Sequence, residues 1–360
     1  MSSNLPSPPC PSCNGTLGFT FYEGLGVPTQ SNRVLFTRNE ALAFPRGDLR
    51  LVFCRACGFV WNSAFTVNPN EHASKYETAQ GCSPAFNAFA RSLARLWADR
   101  YQLRGKTVLE IGCGDGHFLA ILCETAQARG IGVDPLVDSA RAPAGRDLTY
   151  IKDVYCERYA HLPVDFICCR HTLEHIPDPA QFLRTVRRVI GERRQTIVAF
   201  EVPDVLRVLR EGAFWDVYYE HCSYFSAGSL ARLFRACGFD LLDLRPEYGD
   251  QYVVIEATPA LGPAQPLHTL ENDLPALAGT LAAFGSIGPA AVSRWRHRLG
   301  DLLAAGRRIA LWGSGSKAVG FLTTLGFGNE IPYVVDINPT KQGTYLPKTG
   351  QQVVAPALLA

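Results

Sequence analysis

The sequence predicts an α/β protein whose centre is a doubly wound, mostly parallel sheet, with a smaller unit on either side. Three observations predict it. Residues 107–111 form a short apolar run that breaks into Gly112-x-Gly114-x-Gly116 and resumes at helical spacing from His117; this is the strand, glycine turn and helix that open such a sheet. The design recurs at 309–325, where Ile309-Ala310-Leu311-Trp312 runs into Gly313-Ser314-Gly315-Ser316-Lys317 and a helix. Ahead of both stand two C-x-x-C pairs, Cys10/Cys13 and Cys54/Cys57. Domains are expected at 1–72, 73–258 and 259–360, the last boundary marked by the proline-rich 259–268.

The whole chain narrows the function. It has 360 residues, 47% of them hydrophobic and 19% charged, which is globular material for two or three cores. A net charge of +2 without basic runs argues against nucleic acid and against an anionic membrane surface. No uninterrupted apolar run of about 18 residues predicts a membrane span. The opening MSSNLPSPPC has neither the basic nor the apolar region of a secretory signal, so a cytoplasmic location is expected. In a reducing compartment, strand cysteines such as Cys168 and Cys169 serve as small hydrophobes.

The central glycine turn carries the first chemical signal. Its glycines run G-x-G-x-G, not the dinucleotide G-x-G-x-x-G, and Glu110 and Asp115 flank them. A pyrophosphate needs a helix N-terminus left open to anions, so this turn suits a cationic ligand lying against bare peptide. The next strand, 130–133, ends at Asp134; a carboxylate about 20 residues beyond the glycines suits a ribose diol. The spacing resembles motif I of the class I S-adenosylmethionine-dependent methyltransferases. That resemblance implies a Rossmann-like core holding the cofactor at Glu110, Gly112, Gly114, Gly116 and Asp134.

The flanking segments follow in order. In the N-terminal unit, short strands are expected at 19–22 and 49–54. Cys10, Cys13, Cys54 and Cys57 together supply four thiolates for one tetrahedral Zn2+, a filled and therefore structural site. Ser83-Pro84 starts a helix to about 101, capped by Ser83. Tyr76 lies just ahead of it; on the residues alone it reads as a packing or surface tyrosine. A strand at 148–152 precedes Asp153, placed where such folds contact an adenine. Ligands of open α/β sheets lie beyond the carboxyl ends of the strands. The strand 164–169 ends in Arg170-His171-Thr172-Leu173-Glu174-His175, so His171, Glu174 and His175 are expected near the cofactor. The histidines do not read as metal ligands with Cys168 or Cys169, which point to opposite faces of one strand. The strand 196–200 ends at Glu201, again on the ligand side. Residues 215–226 then gather a histidine, acids and tyrosines. A helix at 226–238 and strands at 241–245 and 252–257 finish the sheet. A long helix, about 270–305, leads to the second glycine turn, where Ser314, Ser316 and Lys317 suit an anion such as phosphate.

Together these parts resemble the zinc-domain-containing, S-adenosylmethionine-dependent sugar C-methyltransferases that act on nucleotide-linked deoxysugars. The resemblance rests on the four cysteines, on Tyr218-Tyr219-Glu220-His221-Cys222-Ser223-Tyr224-Phe225-Ser226, and on Gly313-x-Gly315-x-Lys317 with Val335-Asp336-Ile337-Asn338-Pro339-x-Lys341. It implies that Tyr218, Glu220 and His221 line the sugar site with His221 as base, and that Tyr76 is the family's tyrosine ahead of the first core helix. It further implies a nucleotide-linked sugar as the small-molecule partner, with Glu201, Lys317 and Lys341 as substrate contacts. Carbon methylation needs a carbanion equivalent, which a keto sugar supplies once a base removes the proton beside its carbonyl. Histidine is apt for that step. Glu220 is expected to orient the imidazole and Tyr218 to donate to the enolate oxygen. Without the resemblance, His221 remains the best base, because it sits with Glu220 and tyrosines after the fifth strand. The chain departs from the family in having Tyr219 where a second histidine is usual, in the changed 249–256, and in stopping at Ala360 before the last strands such a domain carries, so that either the domain or the sequence itself is short. O- or N-methylation of another acceptor is the alternative enzyme reading, and a non-catalytic binding protein the alternative class.

Overall fold

The computed structural model describes residues 8–67, 81–140, 142–145, 147–262 and 265–359. The N-terminal part holds β1 (Gly18–Pro28), α1 (Arg38–Leu42), β2 (Arg46–Cys54) and β3 (Val60–Asn62). The central part begins with α2 (Pro84–Arg100), β4 (Thr107–Ile111), α3 (His117–Ala126), β5 (Arg129–Val133), β6 (Leu148–Ile151), β7 (Phe166–Arg170) and α4 (Pro179–Ile190). It continues with β8 (Ile197–Pro203), α5 (Val205–Glu211), β9 (Ser223–Tyr224), α6 (Ala227–Ala236), β10 (Phe239–Glu247) and β11 (Tyr252–Pro259). The long α7 (Leu274–Ala304) leads to β12 (Ala310–Trp312), α8 (Ser316–Leu325), β13 (Tyr333–Val335) and β14 (Gln352–Val354).

The central sheet runs β10-β11-β8-β7-β4-β5-β6. Its five parallel strands pair in register around β4, and the β10–β11 hairpin adds an antiparallel edge to β8. β4 and β7 are buried along their whole length, because helices cover both faces. One face packs Trp97, Leu119 and Leu122 against Cys168; the other packs Leu183, Leu230 and Phe234 against Cys169. The two cysteines therefore do point into opposite cores. Caps set the helix starts where the sequence signals them: Ser83 accepts the Phe86 N–H, and Ser226 and Ser229 close a capping box.

The other two sheets explain how the parts are joined. The N-terminal sheet is β1-β2-β3-β9, so the unit expected to end near 72 takes its last strand from 223–224. The Tyr219 hydroxyl accepts the Thr66 N–H at 3.0 Å, and its ring lies so close to Gly47 that a Cβ there would be 2.2 Å away. Tyr219 is thus an anchor between two units. The last sheet, β12-β13-β14, is all parallel, and β14 is a strand the sequence reading did not foresee. Among the described residues, α7 alone is long and apolar enough to cross a membrane by length and composition. Here it bridges two cores, with Leu277, Leu281 and Phe284 under the N-terminal sheet and Ala291 and Leu299 against α8.

Candidate active site

All three glycines after β4 are left-handed, with φ of 70° at Gly112, 55° at Gly114 and 78° at Gly116. A Cβ at Gly112 would lie 2.1 Å from Thr172 Oγ1, and one at Gly116 2.3 Å from the Tyr150 ring. At the end of β5, Asp134 braces the turn: its Oδ2 accepts the Gly114 N–H at 2.9 Å and its Oδ1 the Leu136 N–H at 2.7 Å. Glu110 is buried inside β4, and its Oε2 has no hydrogen-bond partner. Burial, only partly offset by Arg170, pushes its carboxyl up to about 8. A bare-peptide turn flanked by Asp115 and Asp134 fits a positively charged nucleoside and would repel a diphosphate.

The ends of β7 and β8 correct one expectation. In-register pairing puts Arg170 opposite Glu201. Arg170 donates from Nε and Nη2 to the two carboxylate oxygens at 3.1 Å each, and both side chains are buried. His171, at φ of 50°, brings Nε2 to 2.7 Å from Glu201 Oε1 and packs edge-on against Tyr252. Glu201 is therefore the counterion of Arg170 and His171, not a substrate contact. His171 turns to Glu201 and to Tyr252 of β11. Burial opposes the charge on each, yet the mutual attraction wins: Glu201 is held down at about 2 and His171 raised to about 9. The Asp153 carboxylate is held by the Tyr159 hydroxyl and by Arg158 at 2.9 Å.

The 215–226 stretch does form a cluster, with different pairings from those expected. The His221 ring centroid lies 4.8 Å from that of His175 and 4.8 Å from that of Tyr218, nearly perpendicular to both. Burial, reinforced by His175, pushes His221 down to about 3, so its imidazole is neutral. Glu220 does not orient it. The Glu220 carboxylate is buried and accepts the Ser31 N–H at 2.9 Å and the Ser31 hydroxyl. The backbone carbonyl of Glu220 holds His175 Nδ1 at 3.0 Å. The Tyr218 hydroxyl donates to Asp216 Oδ1 at 2.7 Å, which leaves its oxygen, not its hydrogen, facing elsewhere. Donor atoms of Glu174, His175 and His221 lie within 4.8 Å of one another. The expected Tyr76 lies outside the described residues.

Thr172 ties this cluster to the glycine turn. Its Oγ1 lies against Gly112, and the turn carrying Glu174 and His175 follows directly. Sequence reasoning placed His175 near the cofactor but did not pair it with His221, 46 positions along. It gave no sign of Ser31, which is distant in sequence and of a common type.

The C-terminal unit docks on the same segment. Lys317 Nζ donates to Gln251 Oε1 at 2.7 Å and lies 3.5 Å from Asp216, while Lys341 Nζ donates to Asn32 Oδ1 at 3.2 Å. The Ser314 N–H donates to Asp336 Oδ2 at 2.7 Å. At the far end of the N-terminal sheet, Cys10 and Cys57 sulfurs are 3.7 Å apart and those of Cys13 and Cys54 3.6 Å. Sulfurs on a tetrahedral zinc, with Zn–S of about 2.3 Å, stand about 3.8 Å apart, so the cluster fits that ion.

Comparison with known proteins agrees. A family model described as a methyltransferase domain matches residues 83–244, and one described as a C-methyltransferase C-terminal domain matches residues 280–360. The C-methyltransferase NovU of Streptomyces niveus is 27% identical over 323 residues, covering 83% of this chain and 74% of NovU. The ubiquinone biosynthesis O-methyltransferase of Pseudomonas paraeruginosa is 35% identical over 117 residues, 29% of this chain, and the chain spans 48% of that relative. Among solved structures, the magnesium protoporphyrin IX methyltransferase of Synechocystis PCC 6803 is 15% identical over 52% of this chain and 90% of its own, with a TM-score of 0.39. The central part of the chain thus has the class I methyltransferase fold, and residues 280–360 match the C-terminal domain of C-methyltransferases.

Proposed function

We propose that the protein methylates carbon, using S-adenosylmethionine, on a keto-deoxysugar linked to a nucleotide. The observation that carries this reading is the half-buried His221 packed against His175 and Tyr218, with Thr172 joining that cluster to the glycine turn. When bound at Glu110, Gly112, Gly114, Gly116 and Asp134, S-adenosylmethionine supplies an electrophilic methyl group. The chain does the rest. A carbonyl acidifies the neighbouring C–H; His221 takes that proton, and the released electron pair, held as the enolate, forms the new C–CH3 bond as the S–CH3 bond breaks. His175 donates from Nδ1 to the Glu220 carbonyl, which fixes its ring against His221 with the Nε2 lone pair left as an acceptor. Lys317 and Lys341 would meet the nucleotide's phosphates. Four thiolates would hold one structural Zn2+ at Cys10, Cys13, Cys54 and Cys57.

Similarity to NovU across 83% of the chain supports carbon as the acceptor. The likeness to O-methyltransferases covers only 29% of the chain. Labelled S-adenosylmethionine, incubated with a panel of nucleotide-linked 4-keto sugars, tests the reading, with the product methyl placed by NMR. We expect a methyl on carbon and a loss of at least roughly 10²-fold in His221→Ala. A methyl on oxygen would move the protein to the alternative chemistry. Absence of cofactor binding by calorimetry would leave only a scaffold role.

A further inference from the structure

One run of hydrogen bonds crosses all three units and ends on Glu220. Lys341 Nζ donates to Asn32 Oδ1 at 3.2 Å, and Asn32 Nδ2 donates to Ser316 Oγ at 2.9 Å. Ser316 Oγ is 2.7 Å from Ser31 Oγ, and Ser31 Oγ is bonded to Glu220 Oε1. Chemistry fixes the directions. An ionised carboxylate only accepts, so the single Ser31 hydroxyl hydrogen goes to Glu220. Ser31 must then accept from the Ser316 hydroxyl, which in turn accepts from Asn32. Every donor along the run points from the ammonium of Lys341 towards the carboxylate of Glu220. Such chains polarise one another, so the last bond depends on the first.

The end of the run matters because Glu220 is buried and no ion pair among the described residues includes it. Burial pushes its carboxyl up, and the two Ser31 donors are the main counterweight. Its own backbone carbonyl positions His175, and the next residue is His221. The other end of the run, Ser316 and Lys341, lies at the second glycine turn beside Lys317.

We propose that Ser31 and Ser316 are positioning residues through which an anionic substrate group at the C-terminal turn sets the hydrogen bonding of Glu220, and with it the placement of the His175–His221 pair. The proposal rests on the reading above, in which that turn takes phosphate and His221 takes the proton. A phosphate oxygen arriving at Ser316 and Lys341 competes for the donors that now feed Ser31. The state of the sugar-binding end is thereby passed to the catalytic segment by exchange of hydrogen bonds, with no bond in the protein made or broken covalently.

The test is a double-mutant cycle on the full-length protein. The first readout is the infrared carboxylate band of Glu220, isolated as the difference between each protein and its E220Q counterpart. Ser31→Ala should shift the band, Ser316→Ala should shift it the same way by less, and the double variant should match Ser31→Ala. A band unmoved by Ser316→Ala, or a double variant equal to the sum of the two shifts, overturns the run. The second readout is solvent deuterium exchange at the carbon beside the carbonyl of a nucleotide-linked 4-keto sugar, without methyl donor. Each single variant should slow exchange about tenfold, the size of one hydrogen bond to a charged group, the double no further, and Ser31→Thr should recover it. Multiplying effects in the double variant, or no recovery with threonine, also overturns the proposal. A wild-type protein that exchanges none of the sugars sinks the functional reading instead, while the band shifts still judge the run.

Discussion

At the scale of single residues, the strongest electrostatic unit is Arg170–Glu201–His171. Arg170 is buried over the Phe118 ring at 3.9 Å and makes a two-pronged bond to Glu201. Removing one partner of a buried pair strands the other, so Glu201→Ala should cost about 3–5 kcal/mol by urea unfolding. The pH dependence has two limbs. Glu201 is held at about 2, below an unfolded value of about 4.3, so its contribution is present above that value and lost as pH falls through about 2. His171 is raised to about 9, above an unfolded value of about 6.5, so its contribution is complete below about 6.5 and lost as pH rises through about 9. Stability from this trio should therefore peak between about pH 4.3 and 6.5. His171→Gln should flatten the alkaline limb and leave the acid limb intact. Melting curves across pH decide it; an unchanged alkaline limb in the variant would mean the ring carries no charge in the folded protein.

At the scale of elements, the two glycine turns look alike in sequence and differ in surroundings. A Cβ at Gly112 meets Thr172 at 2.1 Å on a left-handed backbone, whereas one at Gly313, φ 91°, meets nothing within 4 Å. Gly313→Ala should cost only the left-handed strain, about 1–2 kcal/mol. Gly112→Ala must also displace Thr172, and with it the turn carrying His175. We expect it to lower S-adenosylmethionine affinity at least tenfold by calorimetry and to lower the melting temperature more than Gly313→Ala does. Equal effects would show that the neighbouring Thr172 yields freely. The contrast also marks what the sequence could disclose. Gly112 to Asp134 was legible because strand, turn and acid are local and periodic. The caps at Ser83 and Ser226 were legible for the same reason. Glu201 was misread because an acid at a strand end can face a ligand or its neighbour, and only the β7–β8 register, Arg170 opposite Glu201, decides. Glu220 was misread because its partner Ser31 lies 189 positions away. β14 is three residues, too short to show a period.

At the scale of the whole molecule, one sheet links the four-cysteine cluster to the segment that carries His221. β2 leaves Cys54, pairs with β3, and β3 pairs with β9, whose Ser223 and Tyr224 follow His221 by two and three residues. Tyr219 and Ser31 pin the same segment from the N-terminal side. The glycine turn belongs to a different sheet, anchored by β4 and β5. A small sheet knotted at one end by metal loses its order when the metal leaves. Metal loss should therefore disturb the acceptor side of the site and spare the donor side. In Cys54→Ser, zinc content should fall from about one per chain to well under half by metal analysis, the filled site needing all four thiolates. Methyl transfer should fall at least roughly tenfold, as loss of a positioned base requires, while cofactor affinity by calorimetry stays within about threefold. Transfer that survives zinc loss would mean that the β3–β9 pairing holds the segment by itself. Cofactor affinity that falls in step would mean that the two sheets unfold as one unit.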